Sequence, residues 1–335
     1  MSVFPEYPVF ERIVAENGAL LYDPKSKRAT VLGEPPPAEF VRSLTRKGVT
    51  PLSVGRVLVA TLEDQKEAVL QTIQELGLEL QLIFNKGSIM VLPSGVNKAT
   101  GLKAALQELC LSLHNTVGVG DAENDHAFLH ACERAVSVAN ALPALKERSD
   151  LVTTGVAGHG VSELMERMME DDLAGVAARG DRDSIVLGEV EGQELRIPYG
   201  ATVWVDDTIQ ADKSALASAI LKRILAAGYQ LVAIHPEGDY RDFEGAVVLG
   251  ESARAPAFEE ILKVLAHPDR SLIVNLESMG SQERLVFFAR LLPQLEELRA
   301  RTGRPHWMVV DDAQHLVAAK DLTGAVLIRR APERV

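Results

Sequence analysis

The fold is decided by the stretch Val117-Gly118-Val119-Gly120-Asp121-Ala122-Glu123-Asn124-Asp125, in which a short apolar run ends in a glycine and two aspartates follow. The apolar run is typical of a strand that is buried on both faces of a parallel sheet. Gly120 allows a sharp turn at the carboxyl end of that strand, where open α/β sheets place their ligands. Asp121 and Asp125 are therefore candidate oxygen ligands for Mg²⁺, although a turn that only caps the following helix also favours Asp and Asn.

A lysine upstream of this stretch points to the same chemistry. Lys98 stands at the opening of a helical pattern, just after the apolar strand predicted at 88–92. A lysine in that position can reach across the mouth of a strand. Downstream of Asp125, apolar strands and helical segments continue to alternate through residue 172. This alternation predicts an α/β fold with a parallel sheet.

Several motifs together resemble those of the haloacid dehalogenase (HAD) superfamily of phosphohydrolases, over roughly residues 10 to 172. They are A-E-N-G-A at 15–19, G-V-x-K-x-x-x-L at 95–102, G-D-x-x-N-D at 120–125 and an asparagine–alanine pair at 140–141. The resemblance is to the sugar-phosphatase branch with a large cap. It implies a HAD-like Rossmannoid parallel sheet with an inserted α+β cap, and Mg²⁺-dependent hydrolysis of a small phosphorylated metabolite.

The resemblance also implies roles for individual residues. Asp121 would bind Mg²⁺ directly, Asp125 would hold the metal shell or the lysine, and Lys98 would neutralise the phosphoryl group. Asn17 and Asn124 would contact substrate or phosphate. These roles suit phosphoryl transfer, which depends mainly on positioning and on neutralising charge.

One family motif has no counterpart in the sequence. HAD enzymes open with a D-x-D-G-T run, whose first aspartate is the covalent nucleophile and whose second is the acid/base. No D-x-D run precedes the predicted cap in these 335 residues. Without an aspartyl nucleophile, we expect the chain to be a poor phosphatase or none.

The predicted organisation is a HAD-like domain, a linker and a second α/β domain. The boundaries are 1–173 for the HAD-like domain, with its core at 1–19 and 86–173 and its cap at about 20–85, 174–182 for the linker, and 183–335 for the second domain. Arg56 and Lys86 are the basic residues considered for substrate contact, and ordinary surface usage favours a solvated position for both.

The second region resembles a P-loop NTPase of the HerA/FtsK-like group, over roughly residues 183 to 320. The resemblance implies that Lys213 and Ser214 bind phosphate and that Asp311 and Asp312 form the acidic motif. The matching loop 207–214 carries Asp207 and Asp212 where a phosphate-binding loop has glycines. These carboxylates repel phosphate, and their side chains resist positive φ angles, so we expect ATP to bind poorly or not at all.

Composition narrows the function classes. The net charge is −12, with 47% hydrophobic and 24% charged residues, which makes a nucleic-acid surface unlikely on charge grounds. No apolar run approaches the roughly 20 residues of a membrane span. Two cysteines in apolar surroundings suggest core thiols and a reducing, cytoplasmic setting. The sequence does not determine the oligomeric state.

The sequence leaves three kinds of function open. The protein is a HAD-type phosphohydrolase, an ATPase-related P-loop protein with a phosphatase-like appendage, or a non-catalytic binding or regulatory protein. The complete acidic motif favours the first, and the two loop aspartates count against the second.

Overall fold

The computed structural model of the protein describes residues 5–173, 175–176, 184–198, 213–238, 240–311 and 316. The chain divides into two units. Unit 1 contains residues 1–109 and 116–179, and unit 2 contains residues 110–115 and 180–335.

Unit 1 combines antiparallel and parallel sheets. One antiparallel sheet has the order β1-β2-β3, a second has the order β4-β5-β7-β6, and the parallel sheet has the order β10-β9-β8. The strands are β1 (Ile13–Ala15), β2 (Leu20–Asp23), β3 (Arg28–Val31), β4 (Ser53–Val54), β5 (Val59–Leu62), β6 (Leu80–Asn85), β7 (Ser88–Pro93), β8 (Val117–Gly120), β9 (Arg134–Ser137) and β10 (Leu151–Val152). The helices are α1 (Ala38–Arg46), α2 (Lys66–Glu75), α3 (Lys98–Glu108), α4 (His126–Ala131), α5 (Pro143–Lys146) and α6 (Ala157–Asp171).

The sheet β4-β5-β7-β6 forms, with helices α1 and α2, an α+β layer that covers most of the region predicted as the cap and is called the lid below. Helices α1 and α2 cover one face of it, and their buried Phe40, Leu44 and Val69 pack with Ile89 and Val91 of β7. Burying each of these side chains stabilises the fold by about 1.5–3 kcal/mol. The lid therefore has an apolar core of its own.

The lid sheet does not follow the predicted cap boundaries of 20 and 85. Strand β7 was placed with the core, but it pairs antiparallel with β5 and β6. At the other end, β1 was placed with the core and β2 with the cap, yet the two pair in one sheet. Strands β6 and β7 are joined by a short turn, and β1 and β2 by the turn Glu16–Gly18, whereas β5 and β7 pair across the intervening α2 and β6.

The parallel sheet confirms the prediction of a parallel α/β fold around the acidic motif. Strand β8 pairs with β9 through Val119 and Val136, and β9 pairs with β10 through Val136 and Leu151. Their side chains pack against helix α6 through Leu164. The aspartates that follow β8 consequently lie at the carboxyl edge of this sheet.

A tight contact fixes helix α3 against the turn between β1 and β2. The turn Glu16–Gly18 packs against the first turn of α3, and Gly18 has φ +106°. A Cβ atom on Gly18 would lie 1.9 Å from the carbonyl oxygen of Asn97, and one on Gly101 would lie 2.4 Å from Cγ1 of Val14. Glycine at both positions lets the turn and the helix meet backbone to backbone.

Unit 2 is a parallel α/β unit with a hairpin. The hairpin pairs β11 (Ser184–Val190) with β12 (Gln193–Pro198), and the parallel sheet has the order β14-β15-β13-β16. The further strands are β13 (Leu231–His235), β14 (Ala246–Leu249), β15 (Ser271–Asn275) and β16 (Trp307–Val310), and the helices are α7 (Lys213–Ala226), α8 (Phe258–Leu265) and α9 (Ser281–Thr302). The apolar runs of the sequence predict strands at 231–234, 271–276 and 307–310, which correspond to β13, β15 and β16, and a strand at 202–205, which lies outside the described residues. They do not predict β14.

Both faces of this parallel sheet are covered. Along β13, Val232 and Ile234 pack into the cluster that contains α8 and α9, while Leu231 and Ala233 pack into the cluster that contains α7 and the hairpin. A strand with two buried faces needs apolar residues at every position. This requirement explains the unbroken apolar runs from which these strands were predicted.

Two smaller expectations can be compared with the structure. Cys132 is buried as predicted, but Cys110 is exposed, because it follows α3 in a left-handed conformation with φ 55°. Within the part of the chain that the structure describes, no helix is both long and apolar enough to cross a membrane.

We expect Gly18→Ala to destabilise unit 1 by roughly 2–4 kcal/mol, since the new methyl group would overlap the Asn97 carbonyl. Gly48→Ala is the matched control, because Gly48 also has positive φ, at 78°, but has no atom within 4 Å of an added Cβ. Its cost should be only about 1 kcal/mol. Hydrogen–deuterium exchange of the α3 amides measures both. Equal protection in the two variants would contradict the contact argument.

Candidate active site

The acidic motif forms a turn that is organised around Asp125. After β8, the chain enters a short 3-10 turn over Glu123–Asp125. The Asp125 Oδ2 atom accepts hydrogen bonds from the backbone N–H groups of Asp121 and Ala122, both at 2.9 Å. A Cβ on Gly120 would lie 2.7 Å from that oxygen, which accounts for the glycine that precedes the aspartates.

Lys98 reaches Asp125 from the first turn of helix α3. Asn97 caps this helix, because its Oδ1 atom accepts from the N–H groups of Ala99 and Thr100. The Lys98 Nζ atom lies 2.5 Å from Asp125 Oδ1. The resemblance implied that Asp125 holds either the metal shell or the lysine, and Lys98 was expected to follow a strand of the core. It follows β7 of the lid sheet instead, and the contact depends on the packing of α3 against the turn at Gly18.

The surroundings of Asp125 favour its ionised form. Asp125 is only 4% exposed. Burial raises the pKa of its carboxyl group. The hydrogen bonds from Lys98 and from the Ala122 and Asp121 amides lower the pKa by more than burial raises it, so the net pKa lies below the ordinary value of 3.8. The carboxylate is therefore a fixed negative charge at neutral pH. With its oxygens engaged in this way, Asp125 acts on Lys98 and on the turn.

The two asparagines predicted at the site are in contact. Asn124 Nδ2 donates to Asn17 Oδ1 at 2.8 Å. Among the described residues, the remaining amide atoms, Nδ2 of Asn17 and Oδ1 of Asn124, are buried and have no hydrogen-bond partner. Buried polar atoms of this kind are normally satisfied. The pair therefore offers one donor and one acceptor beside the acidic turn.

Sequence reasoning missed a role for Glu16. Its carboxylate accepts hydrogen bonds from three successive backbone amides, those of Arg56, Val57 and Leu58, at 2.8–2.9 Å. Burial raises the pKa of Glu16, but these amides lower it more, so the net pKa is lowered. Glu16 thereby ties the A-E-N-G-A turn to the loop before β5. Only its position within the motif signalled this function.

Lys86 was predicted to be a solvated surface residue, and it is exposed, but its ammonium group also contacts the acidic turn. It lies in the turn between β6 and β7, and its Nζ atom is 3.0 Å from Asp121 Oδ2. The hydrogen bond to Asp121 raises the pKa of Lys86. The Lys86 side chain is 66% exposed, so it joins the site from its open side.

The donor set fits a weakly held divalent cation. Among the described residues, no group of three or more His, Cys, Asp or Glu side chains converges on one point. Asp121 can supply one carboxylate, and its side chain is 37% exposed. Mg²⁺ prefers oxygen ligands and keeps several waters where the protein supplies few.

The predicted nucleotide site of unit 2 is only partly described. Lys213 and Ser214 begin helix α7, while Asp207, Asp212 and Asp312 lie outside the described residues. Asp311 stands at the carboxyl end of the parallel sheet, and its Oδ2 atom accepts from Tyr240 Oη at 2.9 Å and lies 3.3 Å from His235 Nδ1. The roles assigned to these residues stay predictions.

Comparison with known proteins agrees with the geometry of unit 1. A family model for haloacid dehalogenase-like hydrolases matches residues 38–165. A phosphoglycolate phosphatase of Methanothermobacter thermautotrophicus is 31% identical over 162 residues, which is 47% of this chain and 72% of that protein. Another from Haloarcula marismortui is 31% identical and aligns over 45% of this chain and 70% of its own length. The chain belongs to the haloacid dehalogenase-like hydrolases.

Other relatives match over a smaller share of their length. Phosphoglycolate phosphatase 2 of Saccharolobus solfataricus is 32% identical, and the chain spans about half of it, 51%. Among solved structures, a haloacid dehalogenase-like hydrolase from Bacteroides thetaiotaomicron is similar with a TM-score of 0.41 and 15% identity, over 48% of this chain and 78% of that one.

We expect Asp125→Asn to lower the stability of the protein at pH 7 by about 1–3 kcal/mol, since Lys98 and two amides lose their charged partner. The folded pKa of Asp125 is depressed, so its stabilisation is present above the unfolded value of 3.8 and is lost as the pH falls through the folded pKa. The wild type and the variant should therefore converge at low pH. Urea titrations followed by circular dichroism at pH 7, 5 and 3 test this, with the exposed Asp64→Asn as control. A constant difference at all three pH values would contradict it.

Proposed function

We propose that unit 1 carries the metal- and phosphate-binding part of a Mg²⁺-dependent phosphomonoesterase site that acts on small phosphorylated metabolites. The observation that carries the proposal is the juxtaposition of Lys98, Asp125 and Asp121 at the carboxyl edge of the parallel sheet. The arrangement provides a cation for phosphate next to a carboxylate for metal. Charge neutralisation of this kind is the main requirement of phosphoryl transfer.

Each residue has a distinct part in the proposed site. Asp125 holds the Lys98 ammonium group in position, and its amide contacts hold the backbone of Asp121 and Ala122 in place. Lys98 binds a phosphoryl oxygen, and the buried amide atoms of Asn17 and Asn124 contact the substrate. Asp121 would hold Mg²⁺, which neutralises charge on the phosphoryl group when it is bound.

The substrate class follows from the relatives. Several of them are named phosphoglycolate phosphatase, so phosphoglycolate is the first substrate to test. The lid covers the site from β6 and β7, and lids of this kind exclude water and select substrates.

For unit 2 we infer a binding or regulatory role rather than ATP hydrolysis. The carboxylate of Asp311 is engaged by Tyr240 and lies beside His235. Asp207 and Asp212 replace the glycines that a phosphate cradle requires. Both features support a nucleotide site that has lapsed.

The metal assignment predicts that Asp121→Asn abolishes Mn²⁺ binding, with Mn²⁺ used as a paramagnetic substitute for Mg²⁺. In the wild type, binding should be weak, with a dissociation constant on the order of millimolar, because a single carboxylate leaves most of the metal's waters in place. Electron paramagnetic resonance of free Mn²⁺ measures the affinity. Glu123→Gln is the matched control, since Glu123 is exposed in the same turn. Loss of binding in the control but not in Asp121→Asn would overturn the assignment.

A second prediction concerns turnover. No D-x-D-G-T run occurs in the 335 residues, so a protein of these residues alone should hydrolyse p-nitrophenyl phosphate no faster than its Lys98→Ala, Asp121→Ala double variant. Loss of a covalent nucleophile removes several orders of magnitude in rate. A Mg²⁺-dependent rate in the wild type that disappears in the double variant would show that another group supplies the nucleophile.

A further inference from the structure

The tip of the β6–β7 hairpin is a fixed platform beside the acidic turn. Lys86 and Gly87 form the connection, with φ values of 48° and 78°, as in the two-residue turns that suit twisted hairpins. Strands β6 and β7 pair continuously up to this turn, from Leu80 with Pro93 to Asn85 with Ser88. The Gly87 carbonyl also accepts a hydrogen bond from Glu63 N–H at 3.0 Å. The position of the Lys86 backbone is therefore set by the lid.

The ammonium group on this platform faces the carboxylate that would bind metal. Lys86 Nζ lies 3.0 Å from Asp121 Oδ2, and the Asp121 side chain is 37% exposed. Asp125 also attracts Lys86, and Glu123 adds to the attraction. Lys98 forms an ion pair with the buried Asp125, so the two aspartates of the motif are paired with different lysines.

We propose that Lys86 is an internal counter-ion of the metal site, which occupies Asp121 until a divalent cation displaces it. The proposal rests on the proposed function, because it takes Asp121 as a metal ligand. An ammonium group and a divalent cation on the same carboxylate repel each other, so each weakens the binding of the other. Metal binding therefore competes with Lys86 for Asp121, and by linkage any contact that holds Lys86 weakens the metal.

The released lysine connects metal binding to the lid. The Lys86–Asp121 ion pair joins the hairpin tip to the acidic turn. Metal at Asp121 competes with this ion pair and leaves the ammonium group at the open side of the site. The ion pair is thus one lid contact that metal weakens, whereas the contacts of Glu16 to the lid loop do not involve Asp121.

The expected effect is modest, because exposed ion pairs are weak. Lys86→Met should bind Mn²⁺ about two- to five-fold more tightly than the wild type, which is the range that exposed pairs reach. Lys86→Arg keeps the charge and should bind as the wild type does. Lys25→Met is the matched control, since Lys25 is 67% exposed and pairs with Glu11 at 2.6 Å in the same unit. It should leave Mn²⁺ affinity unchanged.

Electron paramagnetic resonance titration of Mn²⁺ into the full chain tests the proposal. Unchanged affinity in Lys86→Met, or equal tightening in Lys25→Met, would overturn it. The Asp121→Asn variant separates this failure from failure of the proposed function. If Asp121→Asn binds Mn²⁺ like the wild type, the metal assignment itself is wrong. If Asp121→Asn loses binding while Lys86→Met matches the wild type, the metal site stands and the counter-ion role is refuted.

Discussion

The buried carboxylate of Asp125 is the constraint on which the rest of the site depends. Removing a carboxylate from water costs several kcal/mol unless charges and hydrogen bonds replace the lost solvation. Here the replacement comes from Lys98 and from the amides of Asp121 and Ala122, which belong to different elements of unit 1. Satisfying Asp125 therefore fixes the end of β8, the 3-10 turn and the start of α3 together. It also leaves Asp121 facing outward.

The same logic explains a motif that carries no reactive group. In the A-E-N-G-A run, Glu16 ties down three amides of the lid loop, Asn17 contacts Asn124, and Gly18 allows the close approach to Asn97. The run therefore connects the lid, the acidic turn and α3 through direct contacts. Glu16, Asn17 and Gly18 are consecutive because, in one tight turn, each residue faces a different neighbouring element.

Much of the fold could be predicted from the sequence, because the information is local. The strands of unit 2 are apolar on both faces, so runs such as Leu231–His235 stand out, while the shorter and half-buried Ala246–Leu249 does not. A contact between Lys98 and Asp125 was one of the two roles that the family resemblance implied for Asp125. The cap boundaries could not be predicted, because the pairing of β7 with β5 depends on contacts between distant residues. Lys86 was missed for the same reason, since nothing in its own neighbourhood shows that a hairpin carries it to Asp121.

The geometry of the lid turn has a consequence for the choice of residue at position 86. Lys86 has φ 48°, a left-handed conformation that costs roughly 1–2 kcal/mol for an ordinary side chain and less for asparagine or glycine. An Asn-Gly turn would suit the hairpin better than the Lys-Gly turn that is present. The hairpin is thus less stable than it would be with an Asn-Gly turn, and it carries a cation at its tip. At this residue, the side chain that would best stabilise the turn differs from the side chain that places a positive charge beside Asp121.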